Sequence, residues 1–146
     1  MNGEKEKKKR GIMIAHVPTG AVLLIDDDAN AHALLKYHLE RAGFDLVSAM
    51  DAKQAFSVID DRPDLLAVFV DINLPRADIG WELLTRLGKL KQTRLSDTAL
   101  VVYSVDDDKD RARAAGADEH IIKPARPKEF VSLVKQFAAR REERKG

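Results

Sequence analysis

The chain contains no cysteine. That excludes disulfides, thiolate catalysis and thiolate-held metals, and it makes a reducing cytoplasm the expected location. No apolar run approaches the ~20 residues that span a bilayer, so no membrane association is expected. The opening stretch, MNGEKEKKKRGIMIAHVPTG, is charged but lacks the roughly 7–15 apolar residues of a secretory signal. His16, His32, His38 and His120 have no metal-ligand spacing. No glycine-rich phosphate loop follows the first apolar run, which argues against flavin or dinucleotide binding. Basic charge is also missing from the place where a nucleic-acid binder carries it. Residues 1–10 hold five basic and two acidic side chains, and residues 140–146 hold four and two. Together these ends contribute +5 to a net charge of +1, which leaves −4 on residues 11–139. Direct DNA binding is therefore not expected, and Lys5 to Arg10 read as a solvated end.

What is present is enough sequence for one core. At 146 residues the chain has the size of one ordinary domain. Short apolar runs alternate with segments of helical period. The runs are AVLLID (21–26), FDLVSA (44–49), LLAVFVD (65–71), TALVVYS (98–104) and HIIK (120–123). Several are apolar on consecutive residues, as in strands covered on both faces of a parallel sheet. Between them, Ala31, Leu34, Leu35 and Ala42 predict one helical face, and Ala52, Ala55, Phe56 and Ile59 a second. Leu83, Leu84 and Leu87 predict a third helix, and a short alanine-rich segment around Lys109–Ala115 a fourth. Phe130, Leu133, Val134, Phe137 and Ala138 predict a fifth, opened by Pro127. Gly43 and Gly116 stand where the first and fourth helices should stop. Five β/α repeats specify an α/β fold: a doubly wound, open, parallel five-stranded sheet with helices on both faces. The domain is expected over residues 21–139, between a basic disordered tail (1–20) and a charged tail (140–146).

In such sheets ligands bind outside the carboxyl ends of the strands. Those ends carry Asp26, Asp27 and Asp28 after the first strand, Asp71 on the third, Ser104 on the fourth and Lys123 on the fifth. Clustered carboxylates repel unless a cation neutralises them, and an all-oxygen set suits Mg²⁺. A lysine beside them supplies a point charge for a phosphoryl oxygen, a hydroxyl supplies a donor, and a carboxylate can act as nucleophile.

LLIDDD (23–28), VFVDINLP (68–75), VVYS (101–104) and HIIKP (120–124) together resemble the receiver domain of two-component response regulators, of the flavodoxin-like, stand-alone type. The resemblance implies Asp26 and Asp27 as the acidic metal pair and Asp71 as phospho-acceptor. It adds the Asn73 backbone carbonyl as a further Mg²⁺ ligand. Ser104 takes the conserved hydroxyl position, Lys123 the invariant lysine, and His120 the place of a switching aromatic. Pro75 and Pro124 also fit. A sensor histidine kinase or histidine phosphotransfer protein would be the donor, and a downstream protein the recipient of the signal; a homodimer is left open. The chain would be a phospho-acceptor switch that assists its own phosphorylation and dephosphorylation, not an enzyme acting on other molecules.

Plainer readings stand beside these. Asp28 is equally a helix cap, Asn73 a turn former, His120 an edge-strand residue, and Trp81 and Phe130 parts of the core or of partly covered surface. Asp107, Asp108 and Asp110 read as a solvated helix start. The family pattern is departed from at three places; the first and the last favour the alternative of a phosphorylation-independent pseudo-receiver, and intact Asp26, Asp27, Asp71 and Lys123 oppose it. Val105 stands where a small residue is usual, beside the phosphoryl site. The loop INLPRADIG is one residue longer before its glycine, and the fourth helix is short. A phosphatase using Asp71 as nucleophile would be expected to have a second aspartate where Asn73 stands.

Overall fold

A strand of consecutive apolar residues can be buried on both faces only inside a sheet. Three such runs take inner positions in the computed structural model, which describes residues 20–145. β1 (Ala21–Ile25) and β3 (Leu65–Asp71) are buried along their whole lengths. β2 (Asp45–Ala49) and β5 (Glu119–Ile122) are partly exposed edge strands, and β4 (Ala99–Ser104) lies between β3 and β5. The order is β2-β1-β3-β4-β5, and every pair is parallel. Strand order reverses between β1 and β3, which opens a crevice at their carboxyl ends.

Five helices complete the repeats: α1 (Ala29–Arg41), α2 (Ala52–Asp61), α3 (Ala77–Lys89), α4 (Lys109–Ala114) and α5 (Pro127–Lys145). Side chains alternate across each strand, so the sheet feeds two cores. Leu23, Ile25, Val68 and Val70 meet Ile59, Leu84 and Ala112 under α2, α3 and α4. Val22, Leu24, Phe69 and Tyr103 meet Leu35, Phe130 and Val134 under α1 and α5. Phe130 is thus a core residue, whereas Trp81 is half-buried and carries the Arg111 guanidinium 4.1 Å from its ring centroid. Gly43 and Gly116 end α1 and α4 with φ of 95° and 110°, as expected of helix-terminating glycines.

Two sequence expectations are corrected. On α1 the buried stripe is His32, Leu35 and Leu39, and Leu34 is 51% exposed. A histidine can take the inward position because its Nε2 lies 2.7 Å from the Asp26 backbone oxygen, and that hydrogen bond offsets the cost of its burial. The charged residues 140–145, expected as a tail, continue α5. Arg141 donates to the backbone oxygens of Asp64, Leu65 and Asp97 at 3.0, 2.7 and 2.5 Å. Arg144 pairs with the Asp97 carboxylate at 2.5 Å. Residues 1–19, most of the expected N-terminal tail, lie outside the described residues.

Gly80, expected in the loop after Asp71, lies in the first turn of α3. A Cβ there would sit 1.6 Å from the Ile72 backbone oxygen, so α3 packs against the β3–α3 loop with no room for a methyl group. Gly80→Ala is expected to destabilise the fold by about 3 kcal/mol, the upper end of ordinary overpacking. Urea unfolding checks this, and a loss below about 0.5 kcal/mol, the scatter of ordinary surface substitutions, would contradict it.

Candidate functional site

Asp26 follows β1, Asp71 ends β3, Ser104 ends β4 and Lys123 follows β5. The ladders align Ile25 with Val70, Asp71 with Tyr103, and Ser104 with Ile122, so these polar residues form one row along the sheet edge. Asp26, Asp27 and Asp71 each bring a carboxylate oxygen to within 4.8 Å of the others, with Asp26 and Asp71 buried and Asp27 exposed. The Nζ of Lys123 donates to Oδ1 of Asp71 at 3.0 Å, and the Asn73 amide donates to the same oxygen at 3.0 Å. The lysine side chain is 28% exposed and that of Asp71 8%.

Asp26 is held on all sides. Its amide donates to the Ala49 oxygen at 3.1 Å, and its backbone oxygen accepts from His32. Oδ1 accepts from the Asp28 amide at 2.9 Å, and Oδ2 accepts from the Tyr103 hydroxyl. Burial pushes the Asp26 carboxyl above its ordinary value, against the lowering pull of the Tyr103 hydroxyl and the Asp28 amide. Burial foremost, then the hydrogen bond to Asp26 and the charges of Asp26, Asp71 and Asp28, push the Tyr103 phenol far upward. Asp28 caps α1, its Oδ1 accepting from the Asn30 amide at 2.9 Å.

The raised Asp26 value makes stability depend on pH. The folded state holds this proton at pH values where the unfolded chain has released it, so stability from this group falls as pH rises through the folded value. In EDTA, wild type is expected to gain stability as pH is lowered from 7 toward the ordinary carboxylate range, and Asp26→Asn to lose part of that gain. Melting curves across this window check it; identical pH slopes in the two proteins would contradict it.

Ser104 and His120 are brought together. The Ser104 hydroxyl donates to the Asp106 oxygen at 2.8 Å and lies 3.1 Å from Nε2 of His120. With the hydroxyl proton on Asp106, the histidine must be the donor in the second contact, which fixes its Nε2–H form. Val105, 60% exposed, lines a cleft of about 490 Å³ with Asp26, Leu34, Tyr103, Lys123 and Pro124. Among the described residues, Asp107, Asp108 and Asp110 join no metal-type cluster.

The donor set fits a small hard cation. Its three carboxylates lie within 4.8 Å of one another, and an all-oxygen set of this kind would suit Mg²⁺.

Sequence reasoning missed Tyr103 and His32. Tyr103 carries the one polar tip inside a strand that otherwise reads as core, and its position opposite Asp71 becomes visible only with the register. His32 interrupts an apolar stripe, and so it hid that stripe.

An open α/β sheet with an acidic triad and a lysine at its switch point defines a receiver-type domain. Residues 22–135 match the family model of the response regulator receiver domain, and the chain belongs to that family, which serves two-component signalling. It is 32% identical over 124 residues to the alkaline phosphatase synthesis transcriptional regulatory protein PhoP of Bacillus subtilis, covering 83% of this chain and 49% of that protein. It is 34% identical over 118 residues to an uncharacterised 14.6 kDa protein of Leptolyngbya boryana, covering 80% of this chain and 88% of that one. The chain thus spans about half the length of the transcriptional regulator and most of the small protein. A CheY-like receiver domain protein from Methanospirillum hungatei shares the fold, with a TM-score of 0.73, 24% identity and coverage of 86% and 98%. No described helix is long and apolar enough to cross a membrane.

Proposed function

We propose that this domain accepts a phosphoryl group on Asp71, in the cytoplasm, from a histidine kinase or histidine phosphotransfer protein. The observation that carries this reading is the Asp71 carboxylate itself, buried at the end of a central strand with Lys123 and Asn73 both on Oδ1. Oδ2 is left to attack phosphorus. A bond from Oδ2 to phosphorus forms as the phosphorus–nitrogen bond of the donor breaks, the electron pair goes to the donor imidazole, and that imidazole takes up a proton from solvent. Asp26, Asp27, Asp71 and the Asn73 carbonyl would hold Mg²⁺, which supplies charge neutralisation at the phosphoryl oxygens. Lys123 is placed to leave Asp71 for a phosphoryl oxygen, and Ser104 to donate its hydroxyl to another after releasing Asp106. His120 would follow Ser104, carrying the change to β5. The cleft beside Leu34 and Val105 gives the donor protein its approach. Output would pass by surface contact to a further protein or a second copy, with no reaction on another substrate and no direct DNA contact.

Titration with beryllofluoride and Mg²⁺, followed by amide NMR, tests this. Shifts at Asp71, Ser104 and β5 that require Mg²⁺ are expected; their absence would favour the pseudo-receiver.

Val105 stands at the mouth of the cleft and narrows the route of small donors and water. Val105→Ala is expected to speed both labelling by acetyl phosphate and loss of the label, each less than about tenfold, which is 1.4 kcal/mol of barrier. Unchanged rates for both would show that the side chain stands clear of the route.

A further inference from the structure

Tyr103 has no part in the transfer described above, yet it touches Asp26 and Lys123 and lies opposite Asp71. Asp71 and Tyr103 are register partners across the β3–β4 ladder. Alternation along the strands puts both side chains on the face covered by α1 and α5, where Phe69 and Tyr103 pack. Neighbouring strands lie about 4.8 Å apart. A side chain rooted in β4 that bonds a residue following β1 must therefore pass beside the intervening end of β3. The phenol does this: its hydroxyl donates to Oδ2 of Asp26. Its ring is held edge-on to Phe130, with centroids 5.5 Å apart, and Nζ of Lys123 lies 4.8 Å from its centroid.

We propose that Tyr103 is a positioning residue that holds the metal-free acidic cluster together and thereby competes with the divalent cation for Asp26. The inference rests on the reading that Asp26, Asp27 and Asp71 hold Mg²⁺. Three carboxylates this close repel one another unless donors or cations compensate. Without metal, compensation comes from Lys123 on Asp71 and from the Tyr103 hydroxyl on Asp26. The other oxygen of Asp26 is committed to the Asp28 amide. Metal and phenol then draw on the same carboxylate, and a cation bound there weakens the Asp26 oxygen as an acceptor for the phenol. Phenylalanine keeps the ring, its packing on Phe130 and its face toward Lys123, and removes the donor alone.

The experiment is Mg²⁺ binding by calorimetry with the full chain, wild type against Tyr103→Phe, alongside melting in EDTA. The variant is expected to melt lower without metal and to bind Mg²⁺ about fivefold more tightly, the scale of one net hydrogen bond lost from the metal-free state alone. Equal or weaker Mg²⁺ binding by the variant, with wild type binding normally, would overturn the competition alone and leave the metal site standing. Absence of Mg²⁺ binding by wild type would overturn both. A second readout needs no substitution at Tyr103. The chain has two tyrosines, so Tyr37→Phe, at an exposed position, leaves Tyr103 as the single phenol. Its ultraviolet resonance Raman doublet should report strong donation in EDTA and weakened donation at saturating Mg²⁺. An unchanged doublet would overturn the proposal even if Tyr103→Phe failed to fold.

Discussion

Asp71→Asn is expected to take up no phosphoryl group from acetyl phosphate or a phosphohistidine donor, while folding as wild type does. The amide matches the carboxylate in size, and its oxygen can still accept from the Asn73 amide and from Lys123, which hold Oδ1 at 3.0 Å. What it lacks is the second, negatively charged oxygen that forms the bond to phosphorus. Stability in EDTA should change little. Removing one charge from a cluster whose oxygens lie within 4.8 Å relieves repulsion, and loss of the ionic partner of Lys123 offsets that gain. Intact-mass measurement after incubation with donor and Mg²⁺ checks the first part, and melting in EDTA the second. Labelling at the wild-type rate would remove Asp71 from its role.

Lys123→Ala is expected to slow transfer by about a hundredfold, the lower end of what losing one preorganised charge-stabilising donor costs. It should also destabilise the metal-free protein, because the buried Asp71 carboxylate then keeps only the Asn73 amide. Added Mg²⁺ should restore much of that loss. Lys123→Arg separates charge from shape. The ammonium passes close to the Tyr103 ring and reaches Asp71 as a point charge, whereas a guanidinium is planar and longer. Arginine should recover part of the transfer rate but not the phosphorylation-induced NMR shifts along β5. If both substitutions kept wild-type rates and shifts, Lys123 would be a structural ion pair only.

Much of the site can be read from the sequence because the fold reduces it to one question. Once β/α alternation is recognised, chemistry must lie at the carboxyl ends of the strands, and Asp26, Asp71, Ser104 and Lys123 each stand at or just past one. What the sequence hides depends on contacts between distant residues. Arg141 belongs to the folded body because it bonds backbone oxygens 44 to 77 positions away, while locally it sits in a stretch of charges indistinguishable from a tail. His32 is inward because one backbone oxygen meets its ring, and polarity alone points the other way. Tyr103 reads as one more core residue until the β3–β4 register sets it opposite Asp71.

The departures from the family pattern also look different in three dimensions. Gly80 falls inside α3, where the Ile72 backbone oxygen leaves no space for a side chain. Part of the longer loop thus belongs to α3, which begins at Ala77. The short α4 is real, six residues from Lys109 to Ala114, and it narrows the surface next to β5 through which Ser104 and His120 would signal.

The most direct test of the central claim is to incubate the chain with acetyl phosphate and Mg²⁺, then map the modification by mass spectrometry after borohydride trapping. One phosphoryl group is expected, on Asp71, formed with Mg²⁺ and absent in EDTA. A label on any other residue, or no label at millimolar Mg²⁺ with the fold intact, would contradict it.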